Sequence, residues 1–430
     1  MNRTFVCVET TAYFTLAMEQ VARAEGDRLL FVSARAEPPA GIRLLRLDVR
    51  DGPERAAAAI EAACAAEPAV AAFTNQEPYV IATAAVAEAL GVGRNPVASA
   101  GAARDKSRMK EIWQAAGVST PHGTYCASRA GLDLAAVVYP AIVKPTHGFA
   151  SCGVRRVESE AELLAQVRKI SLLNATTMAQ EGVPGAGFLV EQYLEGHEYS
   201  VDTVWFDGEP ATDFLLANNP EQVSFGQYFP DRLYTLDPAL PEELRRTVID
   251  LTHDAVRALG ISYGPTHTEV RFHDGTPYVL EAAARPGAGG IFYDLARQAR
   301  GDDLMRAMYL SLVCDGREEF DRRTGPALRQ PGAPRPEPAD APGRVTYFWY
   351  NMPYRGSGMI RAIEGLDELR ERDDVLLCVC FKEPGHHLHP DGDLISDYFC
   401  NIMGRHREIP GGPSLPELLK SFDETIEIVY

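Results

Sequence analysis

The sequence predicts a multi-domain α/β protein, and three observations carry that reading. Strand and helix alternate through the first hundred residues. The middle of the chain turns β-rich, with glycine-containing loops and a closing hairpin. A chain of 430 residues is also too long for one hydrophobic core, so several subdomains follow.

Short apolar runs at 4–8, 28–32, 44–47 and 70–73 are the first predicted strands. Alanine-rich helices fill the gaps, notably 54–66 and 78–90. This order implies a parallel sheet with right-handed crossovers. No GxGxxG follows the first strand, so a dinucleotide site is not supported. Thr74-Asn75-Gln76-Glu77 falls at the carboxyl end of the fourth strand, where open α/β sheets bind ligands. Glu77 has two readings: a contact to a substrate amine, or a helix N-terminal acid held by the dipole.

Residues 104–121, RDKSRMKEIWQAAGVSTP, form a predicted amphipathic helix ending at Gly117, with Pro121 beyond it as a stop. A strand over 139–144 leads into PTHGFASCGV. That loop can lay backbone N–H groups over phosphates, although an ordinary hairpin connection competes with this reading. Residues 188–194, FLVEQYL, form a strand, Glu195-Gly196 a turn, and 198–206 another strand. Helices are expected over 242–259 and within 292–314. The stretch 324–342 is rich in proline, glycine and alanine and reads as a linker. From Arg344 the chain returns to short strands and one or two helices, with GSGMIRAIEGLDEL its clearest unit. No internal repeat is present. His386, His387 and His389 sit on a loop without an acidic or cysteine partner, which does not make a metal site.

The stretch HTEVRFHDGTPYVLEAAARPGAGG, 267–290, carries the chemistry. Asp274-Gly275 is a turn signal between two alternating segments. A two-residue turn would mix apolar and charged faces. A three-residue loop, His273-Asp274-Gly275, groups Val270, Phe272, Tyr278 and Leu280 on the buried side. His267, Glu269, Arg271, Val279, Glu281, Ala283 and Arg285 then share the other face, with Glu269 and Glu281 diagonal. One cation can bridge such a pair, and Mg²⁺ takes one or two carboxylates plus phosphate oxygens and water. Arg285 adds a fixed fork for phosphate or carboxylate. A solvated sheet face with a cross-strand ion pair is the plainer alternative.

The formal charge of −18 argues against nucleic acid or an anionic membrane as partner. No signal peptide or membrane span is evident. Eight cysteines lack CxxC spacing, so neither zinc nor a disulfide framework is indicated, and a cytoplasmic setting is expected.

Four motifs in order, RDKSRMK, YPAIVKPTHGFASCGV, LVEQYLEGHEYSVD and the 267–290 stretch, resemble the ATP-grasp superfamily over nearly the whole chain. Within it they are similar to carboxylate–amine ligases, including L-amino acid ligases that make dipeptides. The resemblance implies an ATP-grasp fold. Its parts would be a Rossmann-like domain (1–100), a small α/β domain with the phosphate loop (101–193) and a large domain with the metal hairpin (194–323). After the linker (324–342) would come a lid-like C-terminal α+β domain (343–430). It also implies roles. Lys106 and Lys144 would hold ATP phosphates under a loop that includes Ser151 and Gly153. Glu191, Gln192, Tyr193 and Leu194 would form the adenine hinge, and Glu198 would meet the ribose. Glu269 and Glu281 would hold Mg²⁺, with Mn²⁺ an admissible substitute. Lys144 and Arg285 would be catalytic, with Arg285 facing an acyl phosphate. Glu77, Arg285, Gly289 and Gly290 would bound the substrate pocket. Family members commonly carry Asn where this chain has Ala283, so one oxygen ligand is missing.

The implied reaction joins a carboxylic acid to an amine, both small molecules and expected to be amino acids, at the cost of ATP. A homodimer is among the expectations. The rivals are a carboxylase or purine-pathway member of the superfamily, a carboxylate–thiol ligase acylating a carrier protein, and an inactive nucleotide-binding module. No histidine stands out as base for the amine.

Overall fold

The computed structural model describes residues 3–149, 151–179, 187–219, 232–236, 240–325, 328, 343–353, 356–388 and 398–430. The first four strands, β1 (Thr4–Val8), β2 (Arg28–Ser33), β3 (Arg43–Arg46) and β4 (Ala69–Phe73), form a parallel sheet of order β3-β2-β1-β4. Helices α1 (Ala12–Ala24), α2 (Pro53–Ala63) and α3 (Val80–Ala89) connect or follow them. Val6, Val8, Leu30 and Val32 pack with Ile60 and Val86. Their alternates Phe5, Cys7, Leu29 and Phe31 join a second core that runs on to Met308 and Tyr309. Burial on both faces is why these strands read as unbroken apolar runs.

The helix predicted over 104–121 is present as α5 (Lys106–Ala115), and a short helix that was not predicted, α4 (Val97–Arg104), precedes it. The Asp105 carboxylate caps α5 by accepting from the Ser107 N–H at 2.9 Å. A four-stranded antiparallel sheet follows, β5 (Gly123–Cys126), β6 (Ala141–Pro145), β7 (Arg155–Val157) and β8 (Phe188–Gln192), in the order β5-β8-β6-β7. Helix α6 (Glu160–Leu173) covers it, with Leu163, Val167 and Ile170 on one stripe against Val143 and Phe188.

The next sheet is built from β9 (His197–Phe206), β10 (Glu209–Asn218), β11 (Leu233–Leu236), β12 (Gly264–His273) and β13 (Thr276–Ala283). Helix α7 (Glu242–Ala258) packs Val248, Ala255 and Val256 on one face of this sheet, against Val201, Trp205, Val270 and Val279. Helices α8 (Ile291–Arg300) and α9 (Leu304–Val313) lie against the core built on its other face. The C-terminal segment adds to the same sheet: β14 (Val345–Pro353) pairs with β11, then Tyr398–Arg407 and Val375–Cys380 follow. The resulting eight-stranded order is β13-β12-β9-β10-β11-β14 and then those two strands. This segment also has a core of its own around Phe348, Phe399 and Phe422. Most of the expected linker 324–342, and His389, lie outside the described residues.

The hairpin corrects one expectation. Its turn is the two-residue Asp274-Gly275 form, with positive φ at both residues, as a primed turn requires. His273 pairs with Thr276 and Val270 with Val279, so Val279 is buried in the core rather than on the charged face. The sorting that a three-residue loop was expected to perform is done by a bulge at Leu280. Beyond it Glu269 lies directly opposite Glu281, not diagonal, and Leu280 turns toward the cleft.

Candidate active site

A cleft of about 1010 Å³ opens between the β5–β8 sheet and the eight-stranded sheet, reaching the carboxyl ends of the N-terminal strands. Lys106 is the first residue of α5. Its N–H donates to the Thr146 carbonyl at 2.9 Å, which ties the start of α5 to the end of β6, the strand carrying Lys144. The two lysines therefore enter the cleft together. Lys106 Nζ lies 3.1 Å from Glu281 and 2.9 Å from the Gly148 carbonyl in the loop after β6. Lys144 Nζ lies 2.7 Å from Glu191. Burial works to lower the Lys144 pKa, but Glu191 and Glu281 outweigh it and hold it above the ordinary value.

Glu269 and Glu281 face each other across β12 and β13. Burial, then the charge of Glu281, push the Glu269 carboxyl above its ordinary range. Burial would raise Glu281 too, yet Lys106 and Lys144 overcome it and hold it down to about 2. Two facing carboxylates with one already drawing a lysine are a site that a cation relieves. Among the described residues no three His, Cys, Asp or Glu side chains are grouped to hold a metal. The pair thus fits an ion that completes its shell with phosphate and water, the habit of Mg²⁺.

Glu198 lines the cleft, paired with Arg271 and accepting from Asn218 Nδ2 at 3.1 Å. Of the expected hinge, Glu191 and Gln192 belong to β8. Gln192 N–H donates to the His122 carbonyl at 2.8 Å, and the Glu191 side chain is buried between Lys144 and Lys110. Tyr193 and Leu194 lie past the end of β8, with the Leu194 carbonyl accepting from Arg271 at 3.2 Å. Ser151 lines the cleft; Gly153 does not, and its carbonyl is taken by Gln166 Nε2 at 2.8 Å.

Arg285 reaches into the cleft with Nε 2.5 Å from Glu77, and Arg104 approaches the same carboxylate at 3.7 Å. Glu77 is thus held between two guanidinium groups. Gly289 lines the cleft and its carbonyl accepts from Asn75 Nδ2 at 2.9 Å. Gly290 is buried against Phe14 instead.

Sequence reasoning missed several residues. Lys110 sits one turn after Lys106, a spacing that puts both on one helix face. Burial pulls it down to about 7 despite Glu191. Asp202 shares strand parity with Glu198 and is fully buried. Its two oxygens take the His267 ring at 3.1 Å and the Gly287 N–H at 2.7 Å. His267 lies opposite Ala283 and 3.7 Å from Glu269. Burial would lower its pKa, but Asp202 and Glu269 lift it to about 10.

Residues 137–294 match the family model of the ATP-grasp domain. An L-amino acid ligase from Bacillus licheniformis superposes with a TM-score of 0.83 at 26% identity, covering 100% of this chain and 99% of that one. The D-alanine–D-alanine ligase of Ralstonia nicotianae is 32% identical over 198 residues, 44% of this chain and 56% of that protein. The alanine–anticapsin ligase of Bacillus subtilis is 26% identical over 264 residues, 57% of this chain and 54% of that protein. The chain thus spans about half the length of the curated relatives it matches. Among the described residues no helix is long and apolar enough to cross a membrane.

Proposed function

The chain carries an ATP-grasp domain in an ATP-grasp fold, and on that premise we propose that it is an ATP-dependent ligase joining an amino acid to an amine, itself an amino acid, through an acyl phosphate. The convergence of Lys106, Lys144 and Arg285 on the Glu269–Glu281 pair in one cleft carries this reading. The similarity to an L-amino acid ligase over its whole length supports amino acids as substrates.

A carboxylate does not react with an amine at neutral pH, because oxide would have to leave. Transfer of the γ-phosphoryl of ATP onto the donor carboxylate makes an acyl phosphate, and ADP departs. The amine nitrogen then attacks the acyl carbon, the carbon–oxygen bond to phosphate breaks, and inorganic phosphate leaves. The protein's work is positioning and charge neutralisation. Lys106 and Lys144 neutralise the outer phosphates. Arg285 holds the charge that grows on the acyl phosphate. Glu269 and Glu281 would hold Mg²⁺ or Mn²⁺, which supplies Lewis-acid stabilisation of phosphate oxygens. Tyr193 and Leu194 offer the backbone beside the adenine, and Glu198 an acceptor for the ribose.

The test is product identity. ADP and phosphate should appear in equal amounts with the ligated product in a pairwise amino-acid screen. With donor and ATP present and the amine omitted, hydroxylamine should trap an acyl hydroxamate. Arg285→Ala should suppress trapping roughly 100-fold or more, by analogy with loss of one oxyanion donor. AMP and pyrophosphate as products would reject the acyl-phosphate route.

A further inference from the structure

We propose that Cys378, Cys380 and Cys400 form a thiol-oxidation site at which a hydroperoxide converts Cys380 and Cys400 into a disulfide. The three thiols lie on the last two strands of the eight-stranded sheet, and none of them lines the cleft. Cys380 is directly opposite Cys400 on antiparallel neighbours. That pairing sets Cα atoms within the span a disulfide accepts. Cys378, two residues earlier, points to the same face, and its Sγ is 3.8 Å from that of Cys400. Cys400 is buried, while Cys378 and Cys380 are only partly covered and sit on the outermost strand. A small oxidant therefore reaches the edge thiols first.

Chemistry also separates these thiols from the rest. None of the eight cysteines is in a disulfide. Cys7, Cys64, Cys126, Cys152 and Cys314 are buried, and burial pushes each of those thiols up, away from the reactive thiolate. Cys378 and Cys380 move the other way, while Cys400, their common partner, is raised. A hydrogen bond from Cys400 outweighs burial and brings Cys380 down to about 7.

The reaction balances. The Cys380 thiolate attacks one oxygen of hydrogen peroxide and the O–O bond breaks, giving a sulfenic acid and, from the departing hydroxide, one water after protonation. The Cys400 sulfur then attacks the Cys380 sulfur. The S–S bond forms, the S–O bond breaks, and a second water leaves with the Cys400 proton. Two thiols lose two electrons and one hydroperoxide is reduced.

The link would close behind the cleft wall. Val379 and Asn401, directly opposed on the other face of the same two strands, line the cleft together with Phe381 and Lys382. Cross-linking the back of these strands fixes the spacing of residues at their front.

The fully reduced chain is treated with stoichiometric hydrogen peroxide and mapped by non-reducing peptide mass spectrometry. The expected product is one linkage, Cys380–Cys400, with loss of two hydrogen atoms and reversal by dithiothreitol. In Cys400→Ser, dimedone should label Cys380 as the trapped sulfenic acid. Cys380→Ser should melt like the parent and form no link. Linkage of Cys400 to Cys378 instead, dimedone on Cys400 in Cys380→Ser, or oxidation spread over Cys7, Cys64, Cys126, Cys152 and Cys314 would each overturn the proposal.

Discussion

Glu281 shows how much one side chain is asked to do in this cleft: it faces Glu269, takes Lys106 at 3.1 Å, and ionises far below an ordinary carboxyl. Glu281→Gln keeps the shape and loses the charge that would draw a divalent ion. Turnover should fall by about 100-fold or more, with circular dichroism and melting temperature close to the parent. Ligation within a few-fold of the parent would remove Glu281 from the metal site. Glu77 gives a second test, because its carboxylate is held by Arg285 and Arg104. If it serves to aim Arg285, Glu77→Gln should lower kcat and hydroxamate yield while leaving the KM of each amino acid nearly unchanged. A selective rise in the KM of the amine substrate would restore the reading of Glu77 as an amine contact.

At the scale of elements, the glycine-rich turn after Arg285 sets one wall of the cleft. Gly289 has a φ of +65°, and a Cβ built there would lie 3.3 Å from Asn75 Nδ2. Gly289→Trp should therefore cost stability, about 1–2 kcal/mol for a left-handed backbone. It should also shift donor preference toward small acids such as alanine, read from relative kcat/KM values across donors. An unchanged profile would leave the glycine as a turn feature alone. The elements themselves were largely legible, because strands buried on both faces are apolar runs and helices carry their stripes. The hairpin register was not. A bulge at Leu280 leaves no mark in apolar alternation that a longer turn would not also leave. Helix α4 was missed, because its alanine- and glycine-rich stretch VASAGAAR is buried nearly all round and shows no apolar stripe. Gly290 and Gly153 were assigned by neighbourhood in the sequence, and a one-residue step was enough to turn each away from the cleft.

For the whole molecule, stability where the N-terminal sheet meets α9 rests on charges that are wholly or partly buried. Asp27, at the entry to β2, accepts from Arg3 at 2.7 Å and from the Tyr309 hydroxyl of α9. Glu25 takes Arg306 at 2.5 Å and Arg323 at 2.9 Å. Burial opposes ionisation of both acids, but these partners hold both below the ordinary carboxylate range. A depressed folded-state pKa gives stability that is full above the unfolded value and is lost as pH falls through the folded one. Asp27→Ala should thus cost about 1.5–3 kcal/mol near pH 7. In urea titrations the gap to the parent should narrow as pH drops below the usual carboxylate range. A gap independent of pH would mean the loss is packing alone. The join between β11 and β14 was also hidden in the sequence, because pairing across so long an interval depends on tertiary contact and leaves no local pattern.

That join has a consequence for how the protein is made. Strand β11 ends at residue 236, and its partner β14 begins at residue 345. On a ribosome the outer edge of β11 must wait while more than a hundred residues are added, on the order of ten seconds. Through that interval the unfinished sheet presents open backbone donors and acceptors beside the apolar Leu233 and Tyr234. A nascent chain in this state can pair with its neighbours on a crowded polysome. Yield of active protein should therefore depend more on chaperone supply and growth temperature than the stability of the finished molecule would suggest.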